Sequence, residues 1–262
     1  DEAVRAIPAP DSVAVLADAL LALAPDEWSR ARAIFTWITH YIAYDTQSYF
    51  SGRRAVTSAQ GVLTTGRSVC QGYSELFVAL AREMGLDARV VSGYAKGYSY
   101  RPGARFASTN HAWNAVRLGG RWWLFDTTWA AGHVSGRRFV RDFDEFWFAT
   151  HPDLFVRTHL PANDEWQLTS RVVAKSEFEE MTHVAPHVFE SLFSLGFSHR
   201  EILAAIESGV GLPQAYSSRG HEIVLESAPL AAGVVSGAPV SFRVLLPGEF
   251  EGALINNGDW IH

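Results

Sequence analysis

Two segments rich in aromatic and β-branched residues flank a Gly-Gly pair, and they constrain the fold more than any other feature of the chain. The first segment is HAWNAVRL (His111–Leu118) and the second is RWWLFDTTW (Arg121–Trp129), with Gly119 and Gly120 between them. A two-residue glycine loop between such runs predicts an antiparallel β-hairpin.

The glycine loop also fixes which residues of the two strands face each other. If Leu118 pairs with Arg121, then Trp113 lies opposite Asp126, and His111 is the diagonal neighbour of Asp126 on the same face. A four-residue loop with the same centre gives the same pairing, whereas a one-residue slip would move Asp126 to the opposite face. The hairpin therefore predicts that the side chains of His111 and Asp126 meet.

Cys70 is the only cysteine of the chain, and a helical pattern starts there. Apolar side chains then recur every three or four residues as far as Gly85, which predicts a helix that begins at or beside Cys70. A thiol at a helix N-terminus lies near unpaired N–H groups and the positive end of the helix dipole, and both lower its pKa. The same amides can bind an oxyanion.

Cys70, His111 and Asp126 supply, in chain order, the three parts of cysteine-dependent acyl transfer: a sulfur nucleophile, an imidazole base and an orienting carboxylate. Each residue alone also has a structural interpretation. A lone cysteine is usually a small buried apolar residue, a strand histidine can be structural, and Asp126 can belong to the turn before Trp129. The placement of all three in one pattern favours the catalytic interpretation.

Four blocks of sequence resemble the transglutaminase-like superfamily and, within it, the kyphoscoliosis-peptidase and cytokinesis-protein branch. The resemblance covers roughly Trp28 to Leu168, and it is specific because the cysteine, histidine and aspartate blocks occur in the family's order. The blocks are ARAIFTWITHYIAYDTQSYF (Ala31–Phe50), RSVCQGYSELFVALAREMGLDARVVSGYAKG (Arg67–Gly97), NHAWNAVRLGGRWWLFDTTWAAG (Asn110–Gly132) and FWFATHPDLFVRTHLPANDEWQL (Phe146–Leu168).

The resemblance implies that Cys70 is the nucleophile, that His111 is the general base and later the acid, and that Asp126 orients the imidazole. Lys96, Trp113 and Trp129 also match motif positions, but the family suggests no role for them. It implies an α+β, papain-like cysteine protease core in which the nucleophile helix packs on an antiparallel sheet. Members of this branch often lack part of the triad and then act as binding modules, whereas here the set is complete.

The domain organisation that we predict has three parts. Residues 1–27 form an N-terminal helical extension, residues 28–169 the catalytic domain, and residues 170–262 a smaller helix-plus-β appendage. Within the appendage, Ser198 is expected to cap a second helix after a break near Gly196. The segment that ends in Ile261 and His262 has the pattern of an unfinished strand, so we expect the native polypeptide to continue.

Composition favours a folded globular protein and gives no reason to expect nucleic acid as a partner. The chain is 48% hydrophobic and 19% charged, with a formal charge of −6. The apolar stretch Pro10–Pro25 is too short and too acidic to span a membrane. Because the chain starts at Asp1, we expect a processed or trimmed product, from which a secretion signal could have been removed; otherwise it would be cytoplasmic.

Other histidines and the tryptophans are weaker candidates for a site. His183 and His187 have metal-like spacing, but Pro186 lies between them and no further ligand follows, so no metal or cofactor is expected. We interpret His151 and His159 as packing residues that lie away from any second ligand. Most of the nine tryptophans are expected in the core, with one or two of a small group lining the site: Trp113, Trp122, Trp123 and Trp129.

The expected reaction is attack of the Cys70 thiolate on a carbonyl group of a protein or peptide substrate, which gives a thioester. Water then completes a peptidase or deamidase reaction, whereas an amine completes a transglutaminase reaction. Hydrolysis of a peptide or amide bond is favoured because the resembled branch is described as peptidase-like. The alternative from another class is a protein-binding module that retains an inactive triad.

Overall fold

The computed structural model describes residues 1–101 and 103–181, together with residues 189, 197–198, 201–202, 204, 224–227, 243–245, 254–256 and 259–261. The chain divides into two units, Asp1–His183 and Val184–His262. The first unit contains all three residues of the predicted triad.

The first unit contains both helices and strands. Its α-helices are α1 (Glu2–Arg5), α2 (Val13–Leu21), α3 (Glu27–Tyr41), α4 (Thr46–Ser51), α5 (Ala59–Thr65), α6 (Cys70–Glu83), α7 (Thr127–Ala130), α8 (Pro152–Phe155) and α9 (Lys175–Glu180). Its strands are β1 (Ala43–Tyr44), β2 (Arg67–Ser68), β3 (Asp87–Ala95), β4 (His111–Leu118), β5 (Arg121–Phe125), β6 (Gly132–Ser135), β7 (Arg138–Arg141) and β8 (His159–Pro161). Two short 3-10 helices span Glu145–Trp147 and Asp164–Trp166.

The main sheet has the strand order β5-β4-β3-β8, and every neighbouring pair is antiparallel. The predicted hairpin is confirmed, because Leu118 pairs with Arg121 and Asn114 with Phe125. Gly119 and Gly120 both have positive φ, 58° and 79°. Both central residues of a type I′ turn need such values, which explains why glycine occupies both positions.

Helix α6 packs across strands β3 and β4 of this sheet. It begins at Cys70, as predicted, and ends beside Gly85 in a Schellman motif: Leu86 N donates to Ala81 O at 2.8 Å and Gly85 N to Arg82 O at 3.2 Å. Its inner face is fully buried against the sheet through four side chains: Tyr73, Leu76, Phe77 and Leu80. The nucleophile helix is therefore fixed to the strands by apolar packing.

Helices α2 and α3 cover the other side of α6. Asp26 and Ser29 form a reciprocal capping box at the start of α3. Fully buried aromatic residues of α3, Phe35 and Trp37, join the same core as Phe77 and Phe125. The fold class is thus α+β with the predicted helix-on-sheet core.

The second unit contains two antiparallel strand pairs in its described part: β9 (Val224–Ser227) with β10 (Arg243–Leu245), and β11 (Leu254–Asn256) with β12 (Asp259–Ile261). The predicted cap at Ser198 is confirmed, because Ser198 Oγ accepts from Glu201 N and the Glu201 carboxylate accepts from Ser198 N. His183 and His187 lie outside the described residues. The domain boundaries at residues 27 and 169 stay predictions.

Candidate active site

Cys70 occupies the first position of helix α6, after the N-cap residue Val69, and is half-buried. The parallel pair β1–β2 leads into this corner, with Tyr44 opposite Ser68. Positions one and two of a helix, here Cys70 and Gln71, carry N–H groups that have no intrahelical acceptor. The sulfur therefore lies at the positive end of a 14-residue helix.

His111 and Asp126 meet across the hairpin as the register predicts. His111 is the first residue of β4, and its Nε2 lies 2.7 Å from Asp126 Oδ2. Both side chains are buried, with 7% and 0% of their surface exposed. The pair is consequently shielded from water, which strengthens the interaction between an imidazolium and a carboxylate.

Asp126 has a second role, at the corner where β5 gives way to α7. Its Oδ1 accepts hydrogen bonds from Thr128 N at 2.8 Å and from Trp129 N at 3.0 Å, which caps α7. The structural interpretation and the catalytic interpretation of Asp126 thus apply to different oxygens of one carboxylate. The helix cap holds the carboxylate plane while Oδ2 faces the imidazole.

The charges in the site favour a thiolate beside an imidazolium. Burial favours the neutral thiol, but the charge of His111, a hydrogen bond with its side chain and the N–H of Ala112 outweigh burial, so the pKa of Cys70 is lowered. Burial favours neutral imidazole as well, yet Asp126 and Cys70 together raise the pKa of His111 to about 10. The charge of His111 and two histidine hydrogen bonds overcome burial and hold the pKa of Asp126 well below its usual range.

His159 belongs to this cluster, and the prediction that it lies away from any second ligand is wrong. Its Nε2 is 3.1 Å from Asp126 Oδ2, and the residue is fully buried. Pairing of β8 with β3 places it there, with Ala95 opposite His159. The sequence separation of residues 126 and 159 does not predict that they meet. The only indication was that His159 lies in the last of the four blocks that resemble the family. His151, in contrast, accepts a hydrogen bond from Asp153 N at the start of α8.

His111, Asp126 and His159 also form the group that could hold a metal ion within the described residues. Their nearest ligand atoms lie at 2.7 and 3.1 Å from one shared oxygen, which are hydrogen-bond distances. The three side chains thus already satisfy one another without an ion. The expectation that the protein needs no metal stays a prediction.

Two of the four named tryptophans surround the histidines. The Trp129 ring lies 5.6 Å from the His111 ring and the Trp113 ring lies 6.1 Å from it, centroid to centroid. Trp122 instead packs edge-on against Trp166, and Trp123 against Trp28.

Lys96, for which the family suggested no role, is buried with 1% of its surface exposed. It donates a hydrogen bond to Met181 O at 2.7 Å and lies over the Phe178 ring. Desolvation and the charge of Arg157 lower the pKa of Lys96 to about 8. This lysine therefore attaches the segment around α9 to the end of β3.

An aromatic row extends outward from the cysteine. Tyr44 pairs with Ser68, two residues before Cys70. Ring contacts of 5.8, 5.0 and 5.7 Å then connect Tyr44 to Tyr49, Tyr49 to Phe50 and Phe50 to Tyr98. Tyr49 and Tyr98 are 40% and 50% exposed, so the outer end of the row is open to solvent.

Comparison with known proteins finds similarity over the part of the chain that contains Cys70, His111 and Asp126. Residues 15–127 match the sequence model of the transglutaminase-like superfamily. The kyphoscoliosis peptidase of Mus musculus is 39% identical over 163 residues, which cover 61% of this chain and 25% of that protein. Hillarin of Drosophila melanogaster is 28% identical over 169 residues, which cover 59% of this chain and 20% of that protein.

The chain thus spans a quarter or less of the length of these two relatives. Among solved structures, one described as a TGase shares 20% identity with a TM-score of 0.35, covering 53% of this chain and 37% of that one. Among the described residues, no helix has the length and apolar character needed to cross a membrane.

Proposed function

We propose that this chain, whose residues 15–127 match the sequence model of the transglutaminase-like superfamily, catalyses cysteine-dependent acyl transfer and hydrolyses a peptide or amide bond. The observation that carries the proposal is the continuous series of contacts from the Cys70 sulfur through His111 to Asp126. A nucleophile, a base and an orienting carboxylate in contact are the requirement for this chemistry.

In the proposed reaction the Cys70 thiolate attacks the carbonyl carbon of the substrate, so that a carbon–sulfur bond forms. The His111 imidazolium gives its proton to the departing amine as the carbon–nitrogen bond breaks, which leaves a thioester on Cys70. His111 then takes a proton from water and the hydroxide attacks the thioester. The carbon–sulfur bond breaks, the carboxylic acid leaves, and Cys70 returns to the thiolate beside the His111 imidazolium. The amides of Cys70 and Gln71 at the start of α6 support the oxyanion of both steps.

Hydrolysis is proposed over transfer to an amine because the relatives with 39% identity are named peptidases. The two outcomes differ in the product. When casein is incubated with the protein in ¹⁸O-labelled water, hydrolysis places ¹⁸O in new carboxyl groups. When putrescine is also added, a transglutaminase instead joins the amine to casein through a new amide bond. New ¹⁸O-labelled termini, unaffected by a metal chelator, are the expected result; amine incorporation alone would contradict hydrolysis.

A protein or peptide substrate is proposed because of the aromatic row that starts beside Cys70. The exposed Tyr49 and Tyr98 and the half-buried Phe50 supply large contact areas at little cost in side-chain entropy, as at protein interfaces. Tyr98→Ala should raise the KM for casein several-fold and leave the rate of Cys70 alkylation by iodoacetamide unchanged. Val15→Ala, a change at an equally exposed residue of α2, is the matched control. An equal KM in both variants would exclude the row from substrate binding.

The same alkylation measurement separates an enzyme from a binding module with an inactive triad. A thiolate at neutral pH reacts fast with iodoacetamide, whereas an inert buried thiol reacts slowly. Labelling of Cys70 that is no faster at pH 7 in the native protein than in a small-molecule thiol, with no cleavage of casein, would favour the binding module.

A further inference from the structure

His159 contacts the acidic member of the proposed triad at Oδ2, the same oxygen that the base His111 contacts. Its Nε2 lies 3.1 Å from Asp126 Oδ2, and its Nδ1 lies 2.8 Å from the hydroxyl oxygen of Thr158. Both nitrogens of the ring are therefore engaged. The residue has no exposed surface, so water cannot replace either partner.

These contacts determine where the proton of His159 sits. An ionised carboxylate only accepts hydrogen bonds, so Nε2 must donate to Asp126. Burial, which outweighs the attraction of Asp126, lowers the pKa of His159 to about 4, so the ring is neutral and its Nδ1 accepts. Thr158 must then donate its single hydroxyl hydrogen to Nδ1 rather than to Phe155 O, which lies farther away at 3.3 Å.

We propose that His159 is a positioning residue for the acyl-transfer reaction: a neutral imidazole, protonated on Nε2 and held in that tautomer by Thr158, which donates to Asp126 Oδ2 and keeps the carboxylate ionised and directed at His111. The inference rests on the proposed function. It extends the predicted triad to a chain of five side chains, from Cys70 to Thr158.

The hydrogen bonds around Asp126 show why a second imidazole is needed. Oδ1 receives two donors, the N–H groups of Thr128 and Trp129, and Oδ2 receives two, His111 and His159. Without His159, Oδ2 would keep a single donor although Asp126 has no exposed surface, and a buried anion is less stable with fewer hydrogen bonds. Asp126 would then hold its proton more readily and stabilise the imidazolium less.

A cage of aromatic rings prevents His159 from turning away. Its ring centroid lies 4.3 Å from Phe155, 4.4 Å from Trp129, and 5.1 Å from both Trp113 and Trp147. Because the cage excludes water and both ring nitrogens are occupied, His159 has no access to a substrate proton. It therefore acts through Asp126 and not on the substrate.

In the part of the chain that the structure describes, the ionisable groups found to interact with Asp126 besides His111 and His159 are Cys70, Tyr44 and Tyr73. Burial raises the pKa values of the two phenols well above the usual range. Both phenols remain neutral between pH 4 and pH 9. The rate of Cys70 alkylation falls at low pH as the thiolate is protonated, and this part of the pH profile is its acid limb. A shift of the acid limb in a His159 variant can therefore be assigned to the histidine–carboxylate cluster.

The test compares His159→Gln with His159→Leu. A glutamine amide can donate to Asp126 and accept from Thr158, whereas leucine fills space without either hydrogen bond. We expect His159→Leu to lower kcat for casein by about 10- to 100-fold, the scale of a hydrogen bond to a buried charge, with KM unchanged. His159→Gln should remain within about tenfold of wild type on the same scale.

The pH profile of Cys70 alkylation by iodoacetamide gives a readout that packing alone does not move, and it needs no substrate. In His159→Leu the acid limb should shift to higher pH, because a less stabilised Asp126 supports the imidazolium and thiolate less; glutamine should restore the limb. Equal losses in both variants with an unshifted limb would reduce His159 to a packing residue. If wild type is alkylated as a thiolate but cleaves no casein, the proposed function fails. The shift of the acid limb in His159→Leu still tests the His159 inference in that case.

A second pair of variants covers the case in which His159→Leu does not fold. Thr158→Ser keeps the hydroxyl that donates to Nδ1, and Thr158→Val replaces it with a methyl group of similar size. The valine variant should shift the acid limb in the same direction as His159→Leu, whereas the serine variant should match wild type. Identical profiles for serine and valine would contradict the tautomer assignment.

Discussion

His111 and His159 approach the same oxygen of Asp126, at 2.7 and 3.1 Å from their Nε2 atoms. The other oxygen caps helix α7 through two backbone N–H groups. One carboxylate thus fixes the corner between strand and helix and orients two imidazoles. Its geometry depends on β4, β5, α7 and β8 together.

Asp126→Asn should damage both functions of the carboxylate. If the amide oxygen stays with the α7 amides, its NH₂ group faces two imidazole N–H donors; if it flips, the NH₂ faces the two backbone donors. Either the tautomer of His111 changes or the cap is lost. We expect the acylation rate to fall by roughly 10³- to 10⁴-fold, the scale of this change in serine-protease triads.

Asp144→Asn is the matched control for that variant. Asp144 is also buried. Its Oδ1 accepts a hydrogen bond from Phe146 N at 3.0 Å, and its Oδ2 accepts one from Trp147 Nε1 at 3.1 Å. Its amide would meet a similar mismatch, at one backbone N–H and one indole N–H donor. Thermal unfolding should show a lower Tm for both variants, whereas only Asp126→Asn should lose acylation by more than about tenfold. Equal rate losses would mean that the effect of Asp126 is structural.

The pH dependence of thiol labelling should follow the His111 interaction. Since His111 lowers the pKa of Cys70, the wild-type thiol should be alkylated fast at pH 7, below the ordinary thiol pKa of about 8.5. The His111→Gln variant removes the imidazolium, so its labelling should need a pH at or above that ordinary value. A His40→Gln variant, altered at a histidine of α3, serves as the control. Coincident profiles for wild type and His111→Gln would contradict a thiolate–imidazolium pair.

Acid stability should carry a contribution from His159. Its pKa is about 4 in the folded protein and about 6.5 in an unfolded chain, so only the unfolded state takes up this proton between those values. Stability is then lost as the pH falls from 6.5 to 4, by up to about 3 kcal/mol. Urea unfolding of wild type and His159→Gln across this range should show a difference in free energy that shrinks in acid. A constant difference would contradict the neutral, buried ring.

Gly93 holds the two histidine-bearing strands close to β3. It pairs with His111 on one side and with Pro161 on the other. A Cβ at this position would collide with Leu160 O and the Trp113 ring, so β8 would have to move. Gly93→Ala should therefore lower both Tm and the acylation rate, whereas Ser92→Ala, at the exposed neighbour, should change neither. Wild-type values for Gly93→Ala would show that β8 tolerates displacement.

The sequence predicted the parts of the site that depend on local geometry. The glycine pair between two β-rich runs was sufficient for the hairpin register, and the apolar spacing after Cys70 was sufficient for the start of α6. Both features involve residues fewer than about 20 positions apart, for which turn type and helix period determine the neighbours.

His159 could not be found in the same way, because its contact depends on β8 pairing with β3, across 64 positions from Ala95 to His159. No local pattern in RTHLP specifies that partner, and a short buried strand resembles any apolar turn of the core. Strand register likewise could not predict that one Asp126 oxygen caps α7 and the other contacts the histidines. Register places Cβ atoms but not carboxylate oxygens. The aromatic row reaches Tyr98 from Phe50 through tertiary packing, which no local pattern specifies.

Single-turnover acylation tests the central claim most directly. Wild type and Cys70→Ala are each mixed, in molar excess, with p-nitrophenyl acetate. The release of p-nitrophenol is followed by absorbance, and intact-mass spectrometry measures acetylation of the protein. Wild type should release the p-nitrophenol of the limiting ester in one fast phase, and the acetylated fraction of the protein should carry one acetyl group on Cys70. Cys70→Ala, which keeps the fold because no cross-link is removed, should show neither. Equal rates for the two proteins, or acetylation elsewhere than Cys70, would contradict the cysteine mechanism.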